Sequence, residues 1–325
     1  MYSVEIRGTG SCVPEHRVSN EDISKFVDTS DQWIRERTGI RERRISIAEN
    51  TTELAVESGR KALKDAGIAP EEVDLIIVAT VTPDNFFPST ACLVQAGIGA
   101  GKATSFDISA ACTGFIYGLS IAGQFIKTGR YKTALVIGSE VLSKITDWDD
   151  RNTCVLFADG AGAAVLQRGV SGIISEIIGS DGNGAENLGC PAVPLKNKFT
   201  VSDNCKPNII SMNGREIYKF AVKMIPECVQ KVLKDTGYSL QDIKHIIPHQ
   251  ANVRILDAAA KKLQIDRDKF YVNLHQYGNT SGASIPLALD EMSKSGLLTG
   301  GDLIIIVGFG AGLTYGAQLI QWTKV

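Results

Sequence analysis

The chain has 325 residues, of which 44% are hydrophobic and 22% are charged, and its formal net charge is −2. This composition is ordinary for a globular protein of about two domains, and the near-zero charge argues against general nucleic-acid binding. No apolar run approaches the roughly 18 residues of a membrane span. The seven cysteines are odd in number and form no C-x-x-C pair, so we expect neither a disulfide framework nor a metal site. The expected setting is the reducing cytoplasm.

Alternating apolar stretches and helix-capping signals predict strands and helices in alternation along the first half. Strands are predicted at 2–8, 73–80, 133–138, 154–157 and 162–166, the last two as a pair that closes the half. Helices are predicted from Ser19, from Asp28, and over 51–66, 90–98 and 116–127. The segment 172–213 is rich in glycine, asparagine, aspartate and proline, which predicts connecting loops that line a site. The order of elements predicts an α/β fold.

The second half of the chain repeats the first at one offset of 170 residues. Residues 63–67 reappear as 233–237, 73–77 as 243–247, and 134–138 as 304–308. One such match could arise by chance, but a shared offset without a gap favours duplication. We therefore predict two halves, 1–172 and 173–325, packed as layered units with right-handed crossovers. At this offset Cys112 corresponds to Gly282.

The stretch 106–115 carries the candidate nucleophile, Cys112. It begins as a strand end, passes through small residues and opens onto a predicted helix, so Cys112 falls near the first turn of that helix. Backbone N–H groups and the helix dipole favour an anion there, and we expect the thiol to lose its proton more easily than usual. The alternative is that Cys112 only packs in the core, as free cysteines commonly do.

Three later segments carry polar or glycine-rich strand ends and turns. His249 follows the apolar strand end at 246–248, Asn279 lies in the turn 275–282, and glycines alternate at 308–312. Polar residues at the carboxyl ends of strands are where ligands bind in α/β folds. Each signal alone is weak, because a lone histidine is commonly structural, an asparagine before Thr-Ser-Gly is ordinary helix capping, and the glycines could form a tight turn.

Together these motifs resemble the β-ketoacyl-acyl carrier protein synthase III family of thiolase-like condensing enzymes. The matching segments are D-x-S-A-A-C-x-G-F at 107–115, P-H-Q-A-N at 248–252, G-N-T-S-x-A-S at 278–284, G-F-G-A-G at 308–312 and T-S-D-Q-W-I-x-x-R-T-G-I-x-x-R at 29–43. The similarity runs essentially from end to end. It implies the five-layered thiolase-like fold of two duplicated α/β halves, and a homodimer.

The resemblance also implies a two-step reaction. Cys112 would take the acyl group of an acyl-coenzyme A, with the N–H groups of Cys112 and Ala311 as oxyanion hole. Malonyl-acyl carrier protein would then lose carbon dioxide, and His249 and Asn279 would stabilise the resulting enolate by hydrogen bonds. Attack on the acyl thioester gives 3-ketoacyl-acyl carrier protein and initiates fatty acid synthesis, with no cofactor beyond the coenzyme A thioester. Relatives more often have glycine at Ala311, whose methyl group could narrow the pocket.

Binding residues follow from the same matching. The resemblance assigns coenzyme A binding to Thr29, Trp33, Arg37, Arg151, Gly214 and Asn252, with the adenine between Trp33 and Arg151. It assigns the acyl pocket to Phe87, Leu142 and Phe309, and binding of acyl carrier protein to Lys219, Arg254, Lys261 and Lys262. Plain core packing remains open for Phe87 and Leu142, and a merely solvated helix face for the basic residues. Relatives often carry asparagine where this chain has Arg215.

Two alternatives stay open at this stage. A related acyltransferase or condensing enzyme of secondary metabolism could use the same three residues with another acceptor, and consumption of malonyl-carrier protein would separate the two. A non-catalytic acyl-binding protein is disfavoured, because it needs no complete set of Cys112, His249 and Asn279. A biosynthetic thiolase needs a second reactive cysteine in the late glycine loop, and residues 309–312 contain none. The shape of the cavity sets the chain length and branching of the primer.

Overall fold

The fold is built around two β-sheets, one of five strands and one of four. The structure is a computed structural model and describes residues 2–200 and 207–324. The strands of the first sheet and of a small two-stranded sheet, β2 with β3, are β1 Ser3–Cys12, β2 Arg17–Ser19, β3 Glu42–Arg44, β4 Leu75–Ala79, β5 Thr104–Ile108, β6 Thr133–Val141 and β7 Asp159–Gly169. The helices between them are α1 Asn20–Ile23, α2 Asp31–Thr38, α3 Thr51–Ala66, α4 Thr90–Ile98 and α5 Gly114–Lys127.

The later elements repeat this arrangement. The strands are β8 Ile173–Ser180, β9 Leu188–Gly189, β10 Ser211–Met212, β11 His245–Pro248, β12 Leu303–Gly310 and β13 Thr314–Gln321. The helices are α6 Gly214–Leu233, α7 Val253–Leu263, α8 Leu274–Tyr277 and α9 Ser284–Lys294. The first sheet runs β1-β7-β6-β4-β5 and the second runs β8-β13-β12-β11. The pairs β4–β5, β4–β6 and β11–β12 are parallel. The pairs β1–β7, β6–β7, β12–β13 and β8–β13 are antiparallel.

The two sheets and three helical layers form the five-layered fold that the sequence predicts. Helices α5 and α9 lie between the sheets and share one apolar core with both of them. Helices α3 and α4 cover the outer face of the first sheet, and α6 and α7 cover that of the second. Strands β4 and β6 are buried along their whole length, as expected for strands covered on both faces.

Local signals fix several element ends where the sequence predicts them. Helix α3 begins after Asn50, which forms a capping box with Glu53, and ends at Gly67 in the left-handed conformation (φ 65°). The predicted bounds of α3 and α4 are confirmed. Asp107 on β5 caps α4 from outside, since its carboxylate accepts from the backbone N–H groups of Thr90 and Ala91, each at 2.7 Å.

Two predictions about secondary structure are wrong. Residues 154–157 form turns rather than a strand, and their backbone packs beside Asn279 through a single bridge at Phe157. The segment 172–213 is not loop throughout, because 173–180 forms β8, the edge strand paired with β13. Its loop character begins after Ser180, and residues 201–206 of that predicted loop lie outside the described residues. The division at residue 172 stays a prediction, although the first sheet ends at 169 and the second begins at 173.

Within residues 2–200 and 207–324, no helix is long and apolar enough to cross a membrane. The same part of the chain holds no group of three histidine, cysteine or acidic side chains placed to bind a metal ion. Six of the cysteines are free thiols, and the seventh, Cys205, lies outside the described residues.

Candidate active site

Cys112 lies in a tight turn between β5 and α5. The 3-10 turn 111–113 precedes α5, whose first residue is Gly114, so Cys112 lies near the start of a helix, as the sequence predicts. Ala111 adopts φ 45°, a conformation that costs a non-glycine residue of order 1–3 kcal/mol. The Thr113 hydroxyl fastens the turn by bonding to the carbonyl of Ala110 and to the hydroxyl of Thr314, each at 2.8 Å. The thiol is therefore held in a strained, braced turn.

The expected lowering of the Cys112 pKa is wrong. Burial raises the pKa of the thiol to about 12, because Cys112 is only 7% exposed and a thiolate there loses its hydration. A hydrogen bond from Ser281 lowers this pKa, and the charge of Glu140 raises it further. Burial therefore favours the thiol form of Cys112.

His249 directly follows strand β11 in the second half of the chain. Its backbone N–H donates to the carbonyl of Val307 at 2.8 Å, and its ring packs edge-on against Phe309 with centroids 5.5 Å apart. Nδ1 lies 2.7 Å from the hydroxyl of Ser284. Burial lowers the His249 pKa to about 3, so the ring is neutral near pH 7. A neutral imidazole with Nδ1 bonded to Ser284 presents Nε2 to the site.

Asn279 is held by its backbone and by one side-chain bond. Its N–H donates to the carbonyl of Leu156 and its carbonyl accepts from the N–H of Ala158, each at 2.9 Å. Its Oδ1 accepts from the N–H of Ser281 at 2.9 Å. Because the oxygen is committed to this turn, the Asn279 side chain offers its NH₂ group to the site.

One cavity of about 1100 Å³ brings the three candidate catalytic residues together. Cys112, His249 and Asn279 line it, and each is nine-tenths or more buried. The predicted binding residues that line the same cavity are Trp33, Arg37, Gly214, Lys219, Asn252, Arg254 and Phe309. The cavity therefore joins the reactive residues to an exposed, partly basic mouth.

The side chains of Trp33 and Arg151, which are predicted to hold adenine between them, lie against each other. The guanidinium of Arg151 lies 5.0 Å from the ring centroid of Trp33, and that of Arg37 lies 5.4 Å from it. Arg151 also bonds to the carbonyl of Asp28 at 2.8 Å. A base between Trp33 and Arg151 requires these two planes to separate. Thr29 lies two residues before α2 and does not line the cavity.

The remaining predicted residues lie outside the cavity lining. Leu142 is buried against Phe157, which does line the cavity, while Phe87 is 86% exposed on another face. Ala311 directly follows β12, one residue beyond the cavity-lining Gly310. Lys261 and Lys262 are exposed in the last turn of α7.

Sequence reasoning assigned no role to three buried polar residues at the site. They are Glu140, Ser281 and Ser284, which are each at most 3% exposed. An acidic residue at the end of an otherwise apolar strand was the available signal for Glu140. The cavity is also lined by Glu186 and Arg215, so its mouth carries charges of both signs.

The fold is that of a thiolase-like enzyme, and a buried cysteine lines its main cavity. Sequence profiles described as 3-oxoacyl-[acyl-carrier-protein] synthase III match residues 106–182, and those of its C-terminal part match 233–322. A β-ketoacyl-[acyl-carrier-protein] synthase III of Clostridium acetobutylicum is 59% identical over the full length of both chains. The chain belongs to the 3-oxoacyl-[acyl-carrier-protein] synthase III family.

Solved structures agree with this assignment. The crystal structure of 3-oxoacyl-[acyl-carrier-protein] synthase III from Aquifex aeolicus is 48% identical, with a TM-score of 0.92 over 98% of this chain and all of the other. The priming β-ketosynthase of the R1128 polyketide pathway has a TM-score of 0.93 but 34% identity, over 99% of this chain and 97% of the other. The higher identities go with synthase III, so the secondary-metabolism alternative is not favoured.

Proposed function

We propose that this enzyme condenses an acyl-coenzyme A primer with malonyl-acyl carrier protein, using Cys112 to carry the acyl group, and so initiates fatty acid synthesis. The observation that carries the proposal is the single cavity lined by Cys112, His249 and Asn279. A nucleophile and two hydrogen-bond donors at one point match an acyl transfer followed by formation of an enolate.

In the first step, Cys112 attacks the thioester carbonyl and coenzyme A leaves. The negative charge that develops on the carbonyl oxygen is stabilised by the backbone N–H groups of Cys112 and Ala311. Close packing supports this arrangement, since a Cβ at Gly310 would lie only 2.8 Å from the backbone nitrogen of Cys112. The end of β12 therefore approaches the nucleophile turn as closely as a glycine allows.

In the second step, malonyl-carrier protein loses carbon dioxide and the enolate attacks the acyl-cysteine. Nε2–H of His249 and the NH₂ group of Asn279 donate to the enolate oxygen. Both are neutral donors, which the lowered His249 pKa and the commitment of the Asn279 oxygen favour. Decarboxylation itself generates the carbanion, so neither a strong base nor a cofactor is required for this step.

The basic mouth of the cavity is the proposed entrance for coenzyme A and the carrier protein. Arg37 and Arg254 line it, and Asn252 links their elements by donating to the carbonyl of Arg37 at 2.9 Å and accepting from the N–H of Arg254, also at 2.9 Å. Arg254 and Lys261 are both exposed and seven residues apart on α7, and Lys262 and Lys219 are also exposed. Exposed cations attract phosphate groups and acidic protein surfaces.

We further propose a homodimer in the cytoplasm. The exposed side chain of Phe87 supports the dimer, because a partner molecule would cover it and bring it to the acyl pocket. The six described cysteines are free thiols, which accords with a reducing compartment.

Intact-mass measurement tests the two-step reaction. The enzyme is incubated with a panel of acyl-coenzyme A thioesters and then with malonyl-carrier protein. We expect the native enzyme to form one acyl adduct, which malonyl-carrier protein then discharges. The Cys112→Ala variant should form no adduct, whereas the control Cys92→Ala, which removes an exposed cysteine, should still form it. No adduct with any thioester would contradict the first step, and an adduct that malonyl-carrier protein does not discharge would contradict the second.

A further inference from the structure

A buried amide directly follows His249 and takes no part in the reaction described so far. The residue is Gln250, which is 1% exposed. It does not line the cavity, although its neighbours on both sides in the chain do. Its backbone N–H lies 3.4 Å from the hydroxyl of Ser284, the same hydroxyl that contacts Nδ1 of His249. Gln250 therefore lies behind the cavity wall.

All four hydrogen-bonding positions of the Gln250 side chain are used. Nε2 donates to the carbonyl of Pro248 at 2.9 Å and to the carbonyl of Tyr271 at 3.1 Å. Oε1 accepts from the backbone N–H groups of Asn273 at 3.2 Å and Leu274 at 3.3 Å. An amide has two donor and two acceptor positions, so this side chain is fully satisfied. It joins the end of β11 to the segment 271–274.

Pro248 explains why a side chain is needed at this junction. The backbone of Tyr271 runs beside β11, since its N–H donates to the carbonyl of Ile246 at 2.9 Å. In a parallel pairing, the Tyr271 carbonyl would next accept from the N–H of the second residue after Ile246. That residue is Pro248, which has no N–H. The amide of Gln250 supplies the missing donor and continues the connection beyond the last residue of β11.

The same amide caps the short helix that leads to Asn279. Helix α8 begins at Leu274, and the side chain of Asn273 before it forms no cap. The first N–H groups of a helix have no partner within the helix, and here Oε1 of Gln250 accepts from them. The helix ends at Gly278, whose N–H donates to the carbonyl of Leu274 at 2.9 Å. Asn279 is the next residue, so one helical turn separates it from the contact with Gln250.

The two enolate donors are otherwise anchored in different sheets. The backbone N–H of His249 donates to Val307 on β12, in the second sheet. The backbone of Asn279 bonds to residues 156 and 158, and residue 158 directly precedes β7 of the first sheet. Each anchor holds one donor, whereas the bonds of Gln250 join the segments that carry both.

We propose that Gln250 is a positioning residue that sets the spacing between His249 and Asn279. It lies outside the cavity and acts only through the end of β11 and through α8. This inference deepens the proposed function, and its catalytic meaning rests on the second step of that function. Both donors must reach one enolate oxygen, and a misplacement of about 1 Å can cost about 10²-fold in rate. Loss of the amide should therefore slow condensation selectively.

The experiment measures the two steps separately in single turnovers. The first rate is acylation of Cys112 by the acyl-coenzyme A that forms the adduct. The second is discharge of the pre-formed acyl-enzyme by malonyl-carrier protein over a range of concentrations. Gln250→Met keeps a side chain of similar length and removes all four hydrogen bonds. We expect its second rate at saturation to fall by about 10–100-fold, while acylation stays within about threefold.

Gln318→Met is the matched control. Gln318 is fully buried on β13, and its Nε2 donates to Glu176 on β8 at 3.1 Å. The substitution removes a buried glutamine amide of the same sheet, but one that bonds to β8 rather than to the segments carrying the donors. The ratio of the two rates should therefore equal that of the native enzyme.

Gln250→Asn is the second variant and serves if Gln250→Met does not fold. It keeps an amide that is one methylene shorter, so it cannot bond to the end of β11 and to α8 at the same time. The same selective loss of the second step is expected. Thermal unfolding identifies the variants that are folded.

Equal slowing of both steps in a folded variant, or an unchanged second step, would overturn the positioning role. A higher half-saturating concentration of malonyl-carrier protein with an unchanged rate at saturation would also overturn it, because the effect would then lie in binding at the cavity mouth. Failure of the proposed function has a different result. The unmodified enzyme itself would then form no acyl adduct, or malonyl-carrier protein would not discharge it.

Discussion

At the scale of single residues, the hydrogen bond between Ser284 and His249 bears on which ring nitrogen carries the proton. The Ser284 hydroxyl lies 2.7 Å from Nδ1 and also receives the backbone N–H of Gln250 at 3.4 Å. Because the serine oxygen already accepts one hydrogen bond, its own proton is free to go to Nδ1. The imidazole proton then lies on Nε2, where it can be donated to an enolate.

Ser284→Ala should therefore slow the second step and spare the first. Without the hydroxyl, the neutral His249 ring can adopt the tautomer with its proton on Nδ1, which offers the enolate no donor. We expect the condensation rate to fall by about 10–100-fold, while acylation of Cys112 by an acyl-coenzyme A stays within about threefold. Single-turnover measurement of each step gives the comparison, and equal slowing of both steps would contradict the argument.

The neutral state of His249 also predicts a pH dependence. Its pKa lies near 3 in the folded protein and near 6.5 in the unfolded chain, so the unfolded state binds more protons between these values. Stability should thus fall as the pH drops from about 6.5 toward 4. Replacing the ring in His249→Gln should remove part of that fall, which urea unfolding at pH 4.5 and pH 7.5 measures. An unchanged difference between the two pH values would contradict the buried neutral ring.

The three principal site residues could be predicted from sequence, but their protonation could not. Cys112, His249 and Asn279 each lie in a short contiguous motif that can be recognised in the sequence. The pKa of Cys112 depends instead on burial, to which the second half of the chain contributes through the close approach of Gly308 and Gly310.

At the scale of elements, the two halves build the same turn twice. Ala111 and Ser281 are 170 residues apart and adopt φ values of 45° and 47°, each at the first position of a 3-10 turn that leads into a central helix. The offset found in the sequence therefore extends to unusual backbone angles. The two turns lie side by side, since a Cβ at Gly282 would lie 3.2 Å from the carbonyl of Ala111. Residues 154–157 were mispredicted as a strand because their apolar side chains are buried by packing rather than by pairing.

Strand β12 closely approaches the turn that holds Cys112, which predicts that alanine substitutions at two glycines of this strand differ in their effect on acylation. A Cβ at Gly310 would lie 2.8 Å from the backbone nitrogen of Cys112, so Gly310→Ala must displace the oxyanion hole. At Gly308 the nearest atom is the flexible end of Ile116 at 3.3 Å. We expect Gly310→Ala to slow acylation of Cys112 by about 10²-fold or more, and Gly308→Ala to change it by less than about threefold.

Acylation rates and thermal unfolding of both variants give the test. If Gly310→Ala unfolds at the same temperature as Gly308→Ala but acylates more than 30 times more slowly, the local displacement is supported. Equal acylation rates in the two variants would contradict it.

At the scale of the whole molecule, one face exposes both a strand edge and two aromatic rings. Strand β5 is the edge of the first sheet and is paired on one side only, with β4. Phe86 and Phe87, which precede α4, are 77% and 86% exposed. An unprotected strand edge beside adjacent exposed aromatic rings is unfavourable in a monomer, and pairing with a second copy would cover both.

Replacing both rings should therefore shift the enzyme toward monomer. We expect the native chain to sediment as a dimer at micromolar concentration, and Phe86→Ser/Phe87→Ser to dissociate at the same concentration. Val170→Ser is the control, because Val170 is 95% exposed and directly follows β7, near the opposite edge of the sheet. If Phe87 also completes the acyl pocket of the partner, the double variant should lose acylation of Cys112 under the conditions in which it dissociates. A native chain that sediments as a monomer would contradict the dimer, and a dissociated variant with full activity would remove Phe87 from the acyl pocket.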